Sequence, residues 1–312
     1  MTKRRLGRSD LEIEPLVLGT NVIGGTLDET RSFDVLDAFV AEGFTAIDTA
    51  DSYTRQNQPD SSEDIIGRWL RSRGNRDKVL IFTKVGSDMG QGHRDLSAKW
   101  ITEEVENSLR RLQTDYIDLY QSHWPDPNTP QEETLGAFEK LVAAGKVRVI
   151  GCSNLDARLL REALDISARN GWPRYETVQN EYNLYDRAGF EAVQDMCVAE
   201  DVSGIHYFSL ARGFVTGKYR IAEDARKSPR GPGVVERYLN DKGFRILAAL
   251  DAVAARTGAA PVEIALAWLN AQPGTAAPIA SATSPDQVAA LARGARLVLS
   301  AEDVAELTDA GR

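Results

Sequence analysis

Four residues of this chain combine types that can work on a carbonyl group. Asp48 closes the run Phe44-Thr45-Ala46-Ile47-Asp48, and Tyr53 follows five residues later. Lys84 ends Val79-Leu80-Ile81-Phe82-Thr83-Lys84, and His123 follows Tyr116-Ile117-Asp118-Leu119-Tyr120-Gln121-Ser122. An acid at the tip of a buried strand can hold a cation. A tyrosine beside that cation becomes a usable proton donor, because the ammonium draws the phenol down from its ordinary pKa of about 10. Asp48 would keep Lys84 charged, and His123 can donate a hydrogen bond to a carbonyl oxygen. Such a set polarises and protonates a C=O while something else attacks the carbon. A hydride is the natural attacker, and hydride chemistry needs a cofactor. Singly, each residue has a plainer reading: a turn acid, a solvated lysine, a structural histidine, a packing tyrosine. Four together at the ends of consecutive strands are hard to explain that way.

The elements that must position them follow a regular rhythm. Short apolar runs fall at residues 16–19, 44–47, 79–83, 117–121, 147–152, 177–180, 203–208 and 277–279. Helical spacing lies between them: Phe33, Leu36, Phe39 and Val40 in 30–42, then Ile65, Ile66, Trp69 and Leu70 behind a Ser62 cap. Thr102 is expected to cap the next helix, which turns Val105, Leu109 and Leu112 inward. Further helices are expected at 134–144, 156–169, 189–200, 238–256, 261–270, 285–293 and 301–308. The strands are apolar nearly throughout, as befits strands buried on both faces. Alternation of strand and helix implies parallel strands with helical crossovers. Eight units without a break in composition favour a closed (β/α)8 TIM barrel over a doubly wound open sheet. Residues 3–13 read as a small N-terminal hairpin, and residues 1–312 as a single domain.

Composition narrows the function classes. The chain has 312 residues, 42% hydrophobic and 27% charged, enough for a large core. A net charge of −9 argues against a general nucleic-acid partner. Two cysteines, Cys152 and Cys197, are too few for a disulfide framework and suit a reducing compartment. No apolar segment follows the charged N-terminus, and no run approaches the ~18 residues of a membrane span. The expectation is a cytoplasmic protein with no membrane partner and no metal. No GxGxxG or P-loop pattern occurs, so neither of those nucleotide sites is expected.

The pattern Asp48-x-x-x-x-Tyr53 with Lys84 and His123 resembles the aldo-keto reductases. So do Leu18-Gly19-Thr20, Gly151-Cys152-Ser153-Asn154, Gln179-Asn180-Glu181-Tyr182-Asn183, Gly217-Lys218-Tyr219 and Thr283-Ser284-Pro285-Asp286-Gln287. The motifs run in family order over nearly the whole chain. The resemblance implies NADPH-dependent reduction of an aldehyde or ketone, with NADH as the alternative cofactor. It casts Tyr53 as proton donor, Lys84 as the group that lowers its pKa, Asp48 as the partner of Lys84, and His123 as the residue orienting the carbonyl. It places Gly19 and Thr20 at the cofactor, Ser153, Asn154 and Gln179 at the nicotinamide carboxamide, and Tyr207 against the nicotinamide ring. Ser209, Leu210, Ala211, Gly213 and Lys218 match the pyrophosphate loop. Ser281, Thr283 and Gln287 match the segment near the adenosine phosphate, where the N-terminus of the helix from Pro285 could cradle a phosphate.

Some positions depart from the commoner family pattern. His206-Tyr207-Phe208-Ser209-Leu210 looks like a bacterial branch carrying Tyr-Phe-Ser-Leu, and Ser281, Ala290 and Leu291 stand where glycine, glutamate and asparagine are usual. The stretch 209–237 shows little periodicity and is expected to be a long loop. Between Ala211 and Tyr238 it carries Arg212, Lys218, Arg220, Arg226, Lys227, Arg230 and Arg237 against Glu223, Asp224 and Glu236. A basic loop on an acidic protein suits a polyanionic ligand, with Arg226 and Arg230 the candidates for the 2′-phosphate. Met89, Trp124 and Tyr182 are expected over the rim, Trp124 and Tyr182 as the substrate-binding pair. Two other readings compete: a cofactor-binding regulatory subunit with little turnover, and a Schiff-base barrel enzyme using Lys84 as nucleophile.

Overall fold

The computed structural model describes residues 2–53 and 60–312. Eight parallel strands close into a barrel: β3 Val17–Gly19, β4 Ala46–Asp48, β5 Leu80–Val85, β6 Ile117–Ser122, β7 Val147–Ser153, β8 Tyr175–Gln179, β9 Ser203–His206 and β10 Thr275–Ala280, with β10 pairing back to β3. The expected (β/α)8 TIM barrel is the fold. The hairpin is there as well, as β1 Arg4–Arg5 antiparallel to β2 Glu12–Ile13.

Strand side chains alternate between faces, and that period organises the molecule. Val17, Ala46, Phe82, Leu119, Val149, Ile205 and Ala277 form one buried cluster, joined by Leu6, Leu11 and Ile13 from and beside the hairpin. Their intervening neighbours Ile47, Ile81, Tyr120 and Ile150 belong to a second, larger cluster with the helices. The first cluster therefore fills the barrel, as in other barrels of this type. Two residues beyond Ala46, Phe82 and Leu119 come Asp48, Lys84 and Gln121. The polar residues at the strand ends thus share the inward face of an apolar plug.

The helices follow the sequence signals with local corrections. α1 is Glu29–Ala41, with Asp28 accepting from the Arg31 backbone N–H. α2 is Ser62–Arg73, and its cap is Ser61 in a reciprocal pair with Asp64 rather than Ser62. α3 is Ala98–Leu112, capped by Ser97. Thr102 lies within it, its hydroxyl donating to the Ala98 carbonyl at 2.7 Å. A threonine can bond backward within a helix as readily as it caps one, which is why the two were not separable by pattern. α2 and α3 meet at Gly67, where an added Cβ would lie 2.1 Å from the Arg111 carbonyl oxygen.

Beyond these come α4 Gln131–Ala143, α5 Ala157–Asn170 and α6 Ala188–Glu200. The stretch 209–237 is more ordered than its composition suggested. It holds 3-10 turns at Ala211–Thr216 and Ala222–Lys227 and a helix, α7 Gly231–Tyr238. Tyr238 ends α7 instead of opening the next helix; α8 is Asp241–Thr257, capped by Asn240. α9 Pro261–Asn270, α10 Pro285–Arg296 and α11 Ala301–Ala310 complete the chain.

His206 closes β9 inside the core. Its ring meets Phe190 at 4.2 Å and Tyr182 at 5.0 Å, with Nε2 2.9 Å from the Thr275 hydroxyl. Burial lowers its pKa to about 3. The unfolded chain binds this proton near pH 6.5 and the folded one does not, so the contribution is complete above that pH and lost as pH falls toward 3. Wild-type stability in urea is expected to drop by about 2 kcal/mol more between pH 7.5 and pH 5 than that of His206→Asn. Equal slopes for the two proteins would remove His206 as the cause.

Candidate active site

Asp48 ends β4, Lys84 lies one residue before the end of β5, and His123 follows β6. The register sets Asp48 beside Phe82, and Lys84 beside Gln121. The Lys84 ammonium donates to Asp48 Oδ2 at 2.6 Å, to the Thr49 carbonyl at 2.7 Å and to the Tyr53 hydroxyl at 3.4 Å. The Tyr53 and His123 rings stand edge to face, 6.0 Å apart. All four expected residues therefore converge on one rim.

The charges are set by burial and by these pairings. Burial works against the Lys84 ammonium, yet Asp48 and Tyr53 more than offset it and raise its pKa above the ordinary value. Lys84 is fully buried and protonated, a poor state for a nucleophilic amine. Burial pushes the Tyr53 phenol up, and Lys84 pulls it down without cancelling the rise. This corrects the expectation of a net lowered tyrosine. Lys84 limits the effect of desolvation, and Tyr53 holds its proton at neutral pH. Burial, with the cations of Lys84 and Arg94, holds His123 well below the usual imidazole range, so its ring is neutral.

Sequence reading missed the second layer of this site. Asp48 Oδ1 accepts from Gln179 Nε2 at 3.0 Å and from Gln121 Nε2 at 3.3 Å. Gln179, expected at the cofactor amide, turns its own amide nitrogen to Asp48. Gln121 lay within reach of analysis, since strand alternation puts it on the same face as His123. Ser52, Ser87 and Arg94 carried no such signal. Arg94 lies 4.6 Å over the Trp124 ring, which stacks on His123 at 5.6 Å.

The remaining candidates divide. Asn154, in a left-handed backbone conformation (φ 61°), joins three strand ends. It donates to the His123 carbonyl and to Ser153 Oγ, both at 3.0 Å, and accepts from the Tyr207 hydroxyl at 2.8 Å. The Ser153 hydroxyl donates to the Gln179 carbonyl at 2.7 Å. Gly19 lies close against β10, where an added Cβ would meet Ile279 and Ser281 at 2.9 Å. Thr20 is a correction: fully buried, it donates to the Asp48 carbonyl and so holds the rim from inside. Ser209 likewise turns inward, to the His206 carbonyl, and the Ala211 side chain is buried. Leu210 is half-buried against the core. Trp124 is half-buried on the rim, as is Met89 in the loop after β5.

Tyr182 is the clearest misplacement. It is fully buried, with Phe190, His206 and Trp268 rings 5.0 to 5.4 Å away. Its direction was decided by the packing of α6 and α9 behind the strand ends.

The basic loop is also less available than its composition implied. Arg220 pairs with Asp251, Lys227 with Asp224 and Arg237 with Asp186, while Arg212 covers the Phe208 ring. Lys218, Arg226 and Arg230 are exposed and have no ion pair among the described residues. Thr283 is tied to Gln287, whose Oε1 accepts from its backbone N–H at 2.8 Å, and Ser281 donates to Asn21 at 2.8 Å. Arg31, from α1, reaches the Thr283 carbonyl at 3.3 Å and adds an exposed cation at that end. Between Tyr207 and Lys218 the backbone is left-handed at Phe208, Ala211, Arg212, Gly213 and Gly217, with φ of 50°, 46°, 57°, 94° and 79°. Non-glycine residues there cost about 1 kcal/mol or more each and cluster where a chain grips a ligand.

A cavity of about 1010 Å³ opens beside Asn154 and Tyr207 and runs toward Asp186, Arg187 and Arg312. It flanks the Tyr53 cluster rather than enclosing it.

A sequence model of the Aldo/keto reductase family matches residues 15–312. The chain belongs to the aldo/keto reductase family. It is 36% identical over 304 residues to Aldo-keto reductase YhdN of Bacillus subtilis, covering 94% of this chain and 88% of that protein. It is 32% identical over 334 residues to Protein tas of Escherichia coli, covering 98% and 96%. To an Aryl-alcohol dehydrogenase [NADP(+)] of Phanerodontia chrysosporium it is 30% identical over 286 residues, covering 83% and 72%. As an aldo/keto reductase the chain is an NAD(P)H-dependent oxidoreductase acting on small carbonyl compounds. Among the described residues no helix is long and apolar enough to cross a membrane.

Proposed function

We propose that this aldo/keto reductase reduces an aldehyde or ketone to its alcohol with NADPH, and that Tyr53 gives the proton. The observation that carries the reading is the Lys84 ammonium bridging Asp48 at 2.6 Å and the Tyr53 hydroxyl at 3.4 Å. Bound at the rim, the cofactor supplies a hydride. Tyr53 and His123 both direct donors at the carbonyl oxygen, one giving up its proton and the other holding a hydrogen bond. Lys84 stabilises the tyrosinate left behind, and Asp48, steadied by Gln121 and Gln179, keeps Lys84 in place. Trp124, stacked on His123 at the rim, is the substrate-facing aromatic of this reading. Residues 1–312 act as one domain, and the location is cytoplasmic.

The residues present fit a dinucleotide. Tyr207 stands at the β9 end with its hydroxyl fixed by Asn154, ready for a flat ring. The left-handed turn 211–213 beside Lys218 suits a pyrophosphate. Arg226, Arg230 and Lys218, without an ion pair among the described residues, are cations for a further phosphate. The relative named for NADP(+) and aryl alcohols supports NADPH and makes aromatic aldehydes the first substrates to try.

The test is loss of NADPH absorbance, and separately of NADH absorbance, with aromatic aldehydes, α-dicarbonyls and keto-sugars. Turnover is expected with NADPH at a higher kcat/KM than with NADH. Cofactor binding without turnover on any of these carbonyls would favour the regulatory-subunit reading.

A further inference from the structure

A neutral imidazole donates from one ring nitrogen only, and the group bonded to the other nitrogen selects which. The surroundings of His123 make that selection concrete. Its backbone N–H donates to the Val85 carbonyl at 2.8 Å, and its carbonyl accepts from Asn154. The ring is clamped between Trp124 on one face and the edge contact with Tyr53. On Nδ1 two hydroxyls converge: Ser87 Oγ at 3.0 Å and Ser52 Oγ at 3.4 Å. Ser87 is itself buried, in the loop after β5, and its carbonyl is anchored by Gln91 Nε2 at 3.0 Å. Among the described residues neither hydroxyl has another acceptor. The Ser87 proton therefore finds its best partner in an Nδ1 lone pair, whereas a protonated Nδ1 would leave this buried hydroxyl proton without one; Ser52 is only half-buried and can turn to water. The charged groups acting on the ring are the cations Lys84 and Arg94, and among the described residues no carboxylate is bonded to Nδ1 to draw a proton there.

We propose that Ser87 is a positioning residue: its hydroxyl donates to Nδ1 of His123 and so fixes the ring proton on Nε2, the nitrogen free to meet a carbonyl oxygen. This rests on the reductase reading above, in which His123 must be a donor. Ser87 acts through His123 and touches no reacting atom. The loop after β5 thus contributes to catalysis from beyond the strand that carries Lys84.

The test separates the two ideas. The chain has three histidines, His93, His123 and His206, so the ring nitrogens of 15N-histidine-labelled protein can be assigned with His123→Gln. Wild type is expected to show a neutral His123 protonated on Nε2 near neutral pH. Ser87→Ala is expected to give a mixture of both tautomers, and Ser87→Thr, which keeps the hydroxyl, to return the wild-type pattern. An Nδ1–H signal in wild type, or an unchanged tautomer in Ser87→Ala, overturns the proposal whatever the enzyme does with carbonyls. In turnover, Ser87→Ala is expected to lower kcat about tenfold, the order of one lost hydrogen bond, with the cofactor KM unchanged and Ser87→Thr near wild type. A shifted tautomer with unchanged kcat would also overturn the positioning role.

Discussion

Tyr53→Phe is expected to lower kcat for carbonyl reduction by about a thousandfold, the usual scale for removing a general acid, while NADPH binds as tightly as before. The variant removes one hydroxyl, and among the described residues that hydroxyl is hydrogen-bonded only by Lys84, at 3.4 Å. The ring stays to pack against His123 and over Lys84, so the fold has little to lose. Binding is read from quenching of protein fluorescence by NADPH, and turnover from its absorbance. The pH profile carries the same assignment. Burial raises the Tyr53 pKa, so the phenol is a proton donor throughout the neutral range. Reduction should fall only on the alkaline side, as pH rises through that raised value, and Tyr53→Phe should lack the fall. Retention of most activity in Tyr53→Phe would sink the role given to this residue.

Lys84→Met is expected to lose both activity and stability, and here the fold decides more than the mechanism. Lys84 and Asp48 are a fully buried ion pair, 2.6 Å apart. Removing one partner leaves the other charge stranded, which typically costs about 3–5 kcal/mol. In a protein of this size that corresponds to a Tm lower by roughly 10 °C. Gln121 and Gln179 still donate to Asp48 Oδ1, but neither replaces a charge. The double variant Asp48→Asn/Lys84→Met removes the stranded carboxylate and should recover much of the Tm while remaining inactive. A single variant as stable as wild type would show that water or another cation reaches Asp48. A double variant no more stable than the single would show that the loss lies in packing, not charge. Set beside Tyr53→Phe, the comparison separates a residue needed only for proton transfer from one that also holds the rim together.

Much of this was written along the chain. The alternation of apolar runs and helical spacing specified eight strand–helix units, because parallel strands buried on both faces cannot be polar and their crossovers need amphipathic helices. Asp48, Lys84 and His123 were legible because each stands where such a run ends, and strand ends on one side of a barrel form one rim. The N-terminal hairpin was legible from its alternation, though not its task of helping to plug the barrel floor with Leu6, Leu11 and Ile13.

What escaped the sequence depends on contacts between distant segments. Thr102 was read as a helix cap, and only the hydrogen bonds show that Ser97 caps the helix while Thr102 bonds back within it. Gln121 and Gln179 meet at Asp48 across 73 and 131 residues of chain, a convergence set by closure of the barrel. The seven cations of the basic loop carried no label for those that would find Asp251, Asp224 or Asp186. Tyr182 was placed over the rim from its motif, yet α6 and α9 enclose it. The protonation of Tyr53 turned on burial as much as on Lys84. The sequence by itself determined which chemical groups the strand ends would carry and the barrel that gathers them. Direction, burial and pairing were decided by tertiary structure, because each is a competition among groups that only folding brings within a few ångströms of one another.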